Sequence, residues 1–192
     1  VGCYIVDNAV EFLYPVVKVR KAEGCNELVF EELSAQFQAG GNFARHLSQY
    51  EYRKPQVEML KSVVDACNED KIAVIEAGTG TGKSLAYLVP AVFWSIKNKE
   101  RVVVSTHTIN LQEQLIEKDI PILRKCCGLD FKSVLVKGRN NYVCLRKVYN
   151  LRSEGGTLID DKDRQQLNDL LDWSTKTQDG SKADLNFVPQ DD

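Results

Sequence analysis

The run Ile72-Ala73-Val74-Ile75-Glu76-Ala77-Gly78-Thr79-Gly80-Thr81-Gly82-Lys83-Ser84 constrains this chain more than any other segment. A short apolar run leads into three alternating glycines, and an apolar stretch from Ser84 to Lys97 follows at helical spacing. Strand, tight turn and helix in that order fix the local path. Glycines at 78, 80 and 82 let successive backbone N–H groups converge, and the helix start adds the positive end of its dipole. Such a turn suits phosphate oxygens. Lys83 then stands within reach of the β- and γ-phosphates of a nucleotide, and the Ser84 hydroxyl can ligate Mg²⁺. The strict phosphate-loop pattern asks for glycine at position 77, where this chain has alanine, a difference of one methyl.

Two further apolar runs, Arg101–Ser105 and Ser133–Val136, read as strands, with a helix through Leu111, Leu115 and Ile116 between them. Strands alternating with helices at short spacing predict an α/β fold, a parallel sheet with right-handed crossovers. Another helix starts at Pro55, with Val57, Leu60, Val64 and Cys67 on one face and Asn68-Glu69-Asp70 at its end. Upstream, residues 1–30 carry β-type runs at Cys3–Val6 and Phe12–Val19 and read as a small hairpin or entry segment. Residues 31–48 predict a helix interrupted at Gly40-Gly41. After residue 138 apolar strands stop. Asp160 or Asp161 caps a helix bearing Leu167, Leu170, Leu171 and Trp173, and the polar residues 174–192 read as a loop. The expected organisation is an entry segment over 1–48, an α/β motor domain over 49–138 and a mostly helical unit over 139–192.

With 192 residues, 43% hydrophobic and 27% charged, the chain has the composition of a globular protein with a sizeable core. Lys plus Arg number 25 against 27 Asp plus Glu, and the net charge of −2 excludes a globally basic nucleic-acid binder. No run reaches the ~18 apolar residues of a membrane span. The six cysteines show no CxxC pair and read as reduced thiols, with Cys126-Cys127 as packing or exposed thiols.

Tyr52-Arg53-Lys54-Pro55-Gln56 precedes the first of these helices. Gln56 can read an adenine edge through its paired donor and acceptor, with Arg53 beside the base or phosphates; the plain alternative is a solvated helix start. This segment, the loop Ala77–Ser84, Val104-Ser105-Thr106-His107-Thr108 and Leu111-Gln112-Glu113-Gln114-Leu115 together resemble the first motor domain of superfamily 2 helicases. Lys137-Gly138-Arg139-Asn140-Asn141-Tyr142-Val143-Cys144-Leu145 narrows the resemblance to the XPD-like iron–sulfur branch, and the phrasing is most similar to the bacterial DinG type. It covers roughly residues 45–178 and implies a RecA-like P-loop NTPase with the start of an inserted iron–sulfur-type domain. It also implies a bacterial, cytoplasmic, ATP-driven 5′→3′ DNA helicase.

Residue by residue, the resemblance assigns Arg53 and Gln56 to adenine recognition and Ala77, Gly78, Thr79, Gly80, Thr81, Gly82, Lys83 and Ser84 to ATP and Mg²⁺. Lys83 is the residue of these expected to act in catalysis. Ser105, Thr106 and His107 match a motif that touches the backbone of single-stranded DNA; without the resemblance Ser105-Thr106-His107-Thr108 reads as a plain strand-to-helix cap. Cys144 matches the first ligand of a [4Fe–4S] cluster, whose four-thiolate set this chain does not complete after Cys144. Residues 1–192 alone are expected to bind no cluster, to bind nucleotide weakly or not at all and not to turn it over. The acidic DEAH-type motif and the second motor domain of the family have no counterpart here.

Charge is unevenly placed. Residues 124–152 carry eight Lys or Arg against Asp130 alone, whereas residues 160–192 carry nine Asp against four basic residues. A basic stretch interleaved with Tyr142 and Tyr149 suits single-stranded or forked DNA, with Lys137 and Arg139 on phosphates and Tyr142 stacking on bases. Two other functions compete with a helicase motor, namely a small-molecule kinase and a non-catalytic interaction module that keeps the loop. Residues 1–30 could join an upstream nuclease domain, although no acidic exonuclease motif stands there. Oligomeric state is not legible.

Overall fold

The computed structural model describes residues 4–7, 24–154 and 161–185. They fall into two units, Val1–Leu135 and Val136–Asp192.

In the first unit, Pro55 occupies the first turn of helix α3 (Lys54–Glu69), where its missing N–H is not needed by the helix. Val57, Leu60 and Val64 are buried along one face, as their spacing predicts, and Cys67 packs at the edge of the same cluster. The helix stops at Asp70, in left-handed conformation at φ 54°, a geometry an aspartate tolerates. Helix α4 (Lys83–Asn98) packs against α3 and buries Tyr87, Leu88, Val89 and Val92 in the shared core.

The predicted break at Gly40-Gly41 separates helices α1 (Phe30–Ser34) and α2 (Asn42–His46), which with the 3₁₀ turn Ala35–Phe37 between them bring Leu33, Phe37 and Phe43 into that core. A Cβ at Gly41 would lie 2.4 Å from the Ala35 carbonyl oxygen, so glycine is required at this close approach. Beyond strand β2 (Val103–Thr106), helix α5 (Ile109–Gln114) widens into a π-type turn over Leu115–Asp119 and continues as α6 (Ile120–Cys127). Leu115, Ile120, Leu123 and Cys126 complete the core.

Two asparagine side chains pin the extended segment ahead of α1. Leu28 N–H donates to Asn68 Oδ1 and Asn68 Nδ2 donates to the Leu28 carbonyl, both at 2.8 Å. Asn26 N–H donates to Asn98 Oδ1 at 2.6 Å, and Asn98 Nδ2 returns a bond to the Asn26 carbonyl at 3.1 Å. Each amide acts as a one-residue strand partner, so the C-terminal ends of α3 and α4 hold the segment and seat Leu28 in the core. Asn68→Ala is expected to lower the unfolding free energy by about 1–3 kcal/mol, because two backbone groups lose their partners. Urea denaturation checks this; an unchanged midpoint would show that the clasp contributes nothing.

The sheet differs from expectation. Strand β1 (Tyr4–Asp7) overlaps the first expected β-type run, but it pairs in parallel with β2, Tyr4 opposite Val103 and Asp7 opposite Thr106, where a local hairpin is expected. The second β-type run lies outside the described residues. Ile72–Ile75 and Ser133–Val136, both expected as strands, carry no ladder among the described residues. Ile72 is 84% and Val74 92% exposed, while Ile75 packs on the core; Val134 and Val136 face out in the same way. The reason is physical. A four-residue apolar run becomes a buried strand only when neighbours cover both faces and take its N–H and C=O groups, and its spacing cannot reveal whether they do.

The second unit is an antiparallel closure around two helices, α7 (Leu145–Glu154) and α8 (Asp161–Ser174), which contact each other. Helix α8 begins at the expected aspartate; α7 is not anticipated from the sequence. Residues 174–185, expected as a loop, turn back so that Tyr142 pairs with Ser181 and Val143 N–H donates to the Gly180 carbonyl at 3.0 Å.

Candidate nucleotide site and nucleic-acid contacts

Gly80 and Gly82 have φ of +75° and +79°, and these left-handed steps turn the chain from the loop into α4. Thr81 Oγ1 donates to the Gly78 carbonyl at 3.0 Å and tightens the turn from within. Lys83 Nζ donates to the Ala77 carbonyl at 3.0 Å, which folds the ammonium back across the loop at the position of the missing glycine. Ala77 therefore contributes its carbonyl, and the extra methyl does not prevent the turn. Ser84 sits half-buried in the first turn of α4, and a hydroxyl there is a chemically suitable Mg²⁺ ligand. Thr79, at the tip of the turn, is exposed.

The residues expected on the adenine side meet the loop. Arg53 Nη1 donates to the Gly80 carbonyl at 2.6 Å, and Gln56 Nε2 donates to the Gly82 carbonyl at 2.8 Å. Gln56 is only 3% exposed, against the alternative of a solvated helix start. A Cβ at Gly82 would lie 2.2 Å from Gln56 Nε2, so glycine here permits both the turn and the close approach. This engagement was missed in the sequence, although a signal exists. Gln56, Leu60 and Val64 recur every four residues, which puts Gln56 on the buried face of α3.

At the carboxyl end of β2, Thr108 caps α5 by accepting from Leu111 N–H at 3.3 Å. The cap expected in this run is thus supplied by its last residue, while Ser105 and His107 are exposed and Thr106 donates to the Thr108 carbonyl at 3.3 Å. In the second unit the Lys137 N–H donates to the Tyr142 hydroxyl at 2.8 Å, and Lys137 Nζ lies 3.4 Å from the buried Ser181 Oγ. Lys137 and Tyr142 are thus brought together. Arg139 stands exposed on the short 3₁₀ turn between them.

Cys144 is an exposed thiol just ahead of α7. Among the described residues no group of three or more His, Cys, Asp or Glu side chains converges, so the donor set for a four-thiolate cluster is not met by them. Burial pushes the Cys127 thiol up to about 11, with the neighbouring Cys126 adding to the effect, and raises Cys126 as well. Both are packing thiols held protonated. Among the described residues no helix is long and apolar enough to cross a membrane.

A lysine-bearing glycine turn that opens a long helix, gripped through its carbonyls from the preceding helix, defines a phosphate-loop protein. The family model described as DEAD/DEAH box helicase matches residues 53–168, more than half of the chain. The chain belongs to the DEAD/DEAH box helicase family and so has a P-loop NTPase fold. It is 35% identical over 158 residues to "ATP-dependent DNA helicase YoaA" of Escherichia coli, covering 81% of this chain and 24% of that protein. It is 37% identical over 153 residues to "ATP-dependent helicase DinG" of Mycobacterium tuberculosis, covering 69% of this chain and 22% of the relative. A third relative, "3'-5' exonuclease DinG" of Bacillus subtilis, is 36% identical over 140 residues, 72% of this chain and 15% of its own length. The chain thus spans about a quarter or less of the length of these relatives.

Proposed function

We propose that these residues form the nucleotide-gripping part of a DinG-type, ATP-dependent DNA helicase motor. The observation that carries the proposal is the phosphate loop itself, Ala77–Ser84, with Lys83 folded over it at the head of α4. On this reading Lys83 neutralises the β- and γ-phosphates, backbone N–H groups of residues 78–84 take their oxygens, and the Ser84 hydroxyl holds Mg²⁺. Arg53 and Gln56 bound the site on the α3 side. Hydrolysis needs, beyond this grip on the nucleotide, an oriented water and further positive charge. Residues 1–192 alone then bind nucleotide weakly or not at all and do not turn it over, and DNA-stimulated ATP hydrolysis by them would count against this division. The family match disfavours the small-molecule kinase and interaction-module readings.

Single-stranded or forked DNA is the proposed track in the bacterial cytoplasm, with 5′→3′ movement. Ser105, Thr106 and His107 are assigned to its backbone, Lys137 and Arg139 to its phosphates and Tyr142 to stacking on its bases. Residues 139–192 would begin an inserted iron–sulfur-type domain, with Cys144 as one prospective thiolate. Replacing Lys137 and Arg139 together by alanine is expected to flatten the slope of log affinity against log salt by about 1.4, roughly 0.7 per lost phosphate contact on a single strand. Fluorescence anisotropy with an oligonucleotide across a salt series measures it. An unchanged slope would remove these residues from the proposed track.

A further inference from the structure

The loop that carries Lys137 and Arg139 is closed on itself and then braced by a segment some forty residues away. The Lys137 N–H donates to the Tyr142 hydroxyl at 2.8 Å, and the Asn141 N–H donates to the Gly138 carbonyl at 2.8 Å, so residues 137–142 form one closed loop. Its far end meets the turn Thr177–Ser181. Tyr142 pairs with Ser181 there, and the Val143 N–H donates to the Gly180 carbonyl at 3.0 Å. Two side chains hold the shape of that turn: the Gly180 N–H donates to Thr177 Oγ1 at 2.9 Å, and the Ser181 N–H donates to Asp179 Oδ1 at 2.8 Å. Ser181, only 1% exposed, places its Oγ 3.4 Å from Lys137 Nζ. By charge alone, the exposed carboxylate of Asp179 has the wrong sign for a neighbour of a phosphate-contacting loop. Its bond to the Ser181 N–H supplies a different role.

We infer that Asp179, together with Thr177, is a positioning residue for DNA binding: it shapes the turn that braces the 137–142 loop and so sets where Lys137 meets a phosphate. The inference rests on the proposed DNA track and deepens it, adding an acidic residue that acts without touching DNA. A loop already held in its binding shape gives up less conformational freedom when the strand arrives, and more of its electrostatic attraction is kept as affinity.

The test compares the whole chain with Asp179→Ala, which removes both acceptor and charge, and with Asp179→Asn, which removes the charge but keeps a side-chain oxygen for the Ser181 N–H. Binding of a fluorescent single-stranded oligonucleotide is followed by anisotropy across a salt series, and amide hydrogen exchange at Val143 and Ser181 is followed without DNA. Asp179→Ala is expected to flatten the slope of log affinity against log salt by about 0.7, the loss of one phosphate contact on a single strand, and to quicken exchange at both amides. Asp179→Asn is expected to keep the original slope and the slow exchange. A pure charge effect would instead move both variants alike, toward tighter binding, and would overturn the inference; so would an unchanged slope in Asp179→Ala. Thr177→Val takes the acceptor from the Gly180 N–H with no change of charge, and it is expected to reproduce the Asp179→Ala pattern. If Lys137→Ala leaves the slope of the unsubstituted chain unchanged, the DNA track falls and the inference with it. A slope that responds to Lys137→Ala but not to Asp179→Ala removes the brace alone.

Discussion

Lys83→Ala is expected to weaken binding of MgATP and of inorganic tripolyphosphate by about 100-fold, the scale of one or two charge-assisted hydrogen bonds to phosphate. The effect is large because Lys83 is the cation folded across the loop itself. Within the fold, Lys83 Nζ makes one hydrogen bond, to the Ala77 carbonyl, and its side chain is only half-buried. Thermal stability should therefore stay close to that of the unsubstituted chain, which separates loss of the site from loss of the fold. Calorimetric titration beside a thermal melt reads both. Full affinity with alanine at 83 would mean that the glycine turn is only a turn.

Phe43→Ala carries the largest expected effect on stability, about 3–5 kcal/mol. Phe43 is fully buried, with its ring centroid 4.8 Å from that of Phe37 and 6.1 Å from that of Tyr50. The Tyr50 hydroxyl donates to the Phe37 carbonyl at 2.7 Å, so the three rings and one backbone group form a single packed corner. Truncation opens a cavity that the helices around it cannot fill without breaking that bond. Against a total of roughly 5–15 kcal/mol, this consumes a large share of the stability of the domain. Val74→Ser is the control: at 92% exposure it is expected to change stability by less than about 0.5 kcal/mol. Urea denaturation of the two variants measures the contrast, and comparable losses would mean that the core does not lie where Phe43 sits.

The helices were legible in the sequence because their signals are local. Pro55 sets the start of α3, the apolar spacing of Val57, Leu60 and Val64 sets its buried face, and Asp161 starts α8. The phosphate loop was legible for the same reason, since its glycines, Lys83 and Ser84 are contiguous. Strand partners were not. Val103–Thr106 pairs with residues about a hundred positions earlier, and no spacing within either run encodes that choice. The apolar runs at 72–75 and 133–136 look like strands by composition, yet Ile72, Val74, Val134 and Val136 are exposed and, of the two runs, only Ile75 packs on the described core. Helix α7 was hidden because its residues are mostly charged or polar, and Val148 is its one buried hydrophobic among the described side chains. The grip of Gln56 and Arg53 on the loop carbonyls depends on the approach of two segments some 26 residues apart, which only the fold supplies.

The central claim is that Ala77–Ser84 is a working phosphate site, and amide chemical shifts of the isotope-labelled chain during a MgATP titration test it most directly. The account predicts saturable shifts concentrated at residues 78–84, with smaller ones at 53–56, and their loss in Lys83→Ala. Shifts that avoid the loop, or shifts that persist unchanged without the Lys83 ammonium, would contradict it.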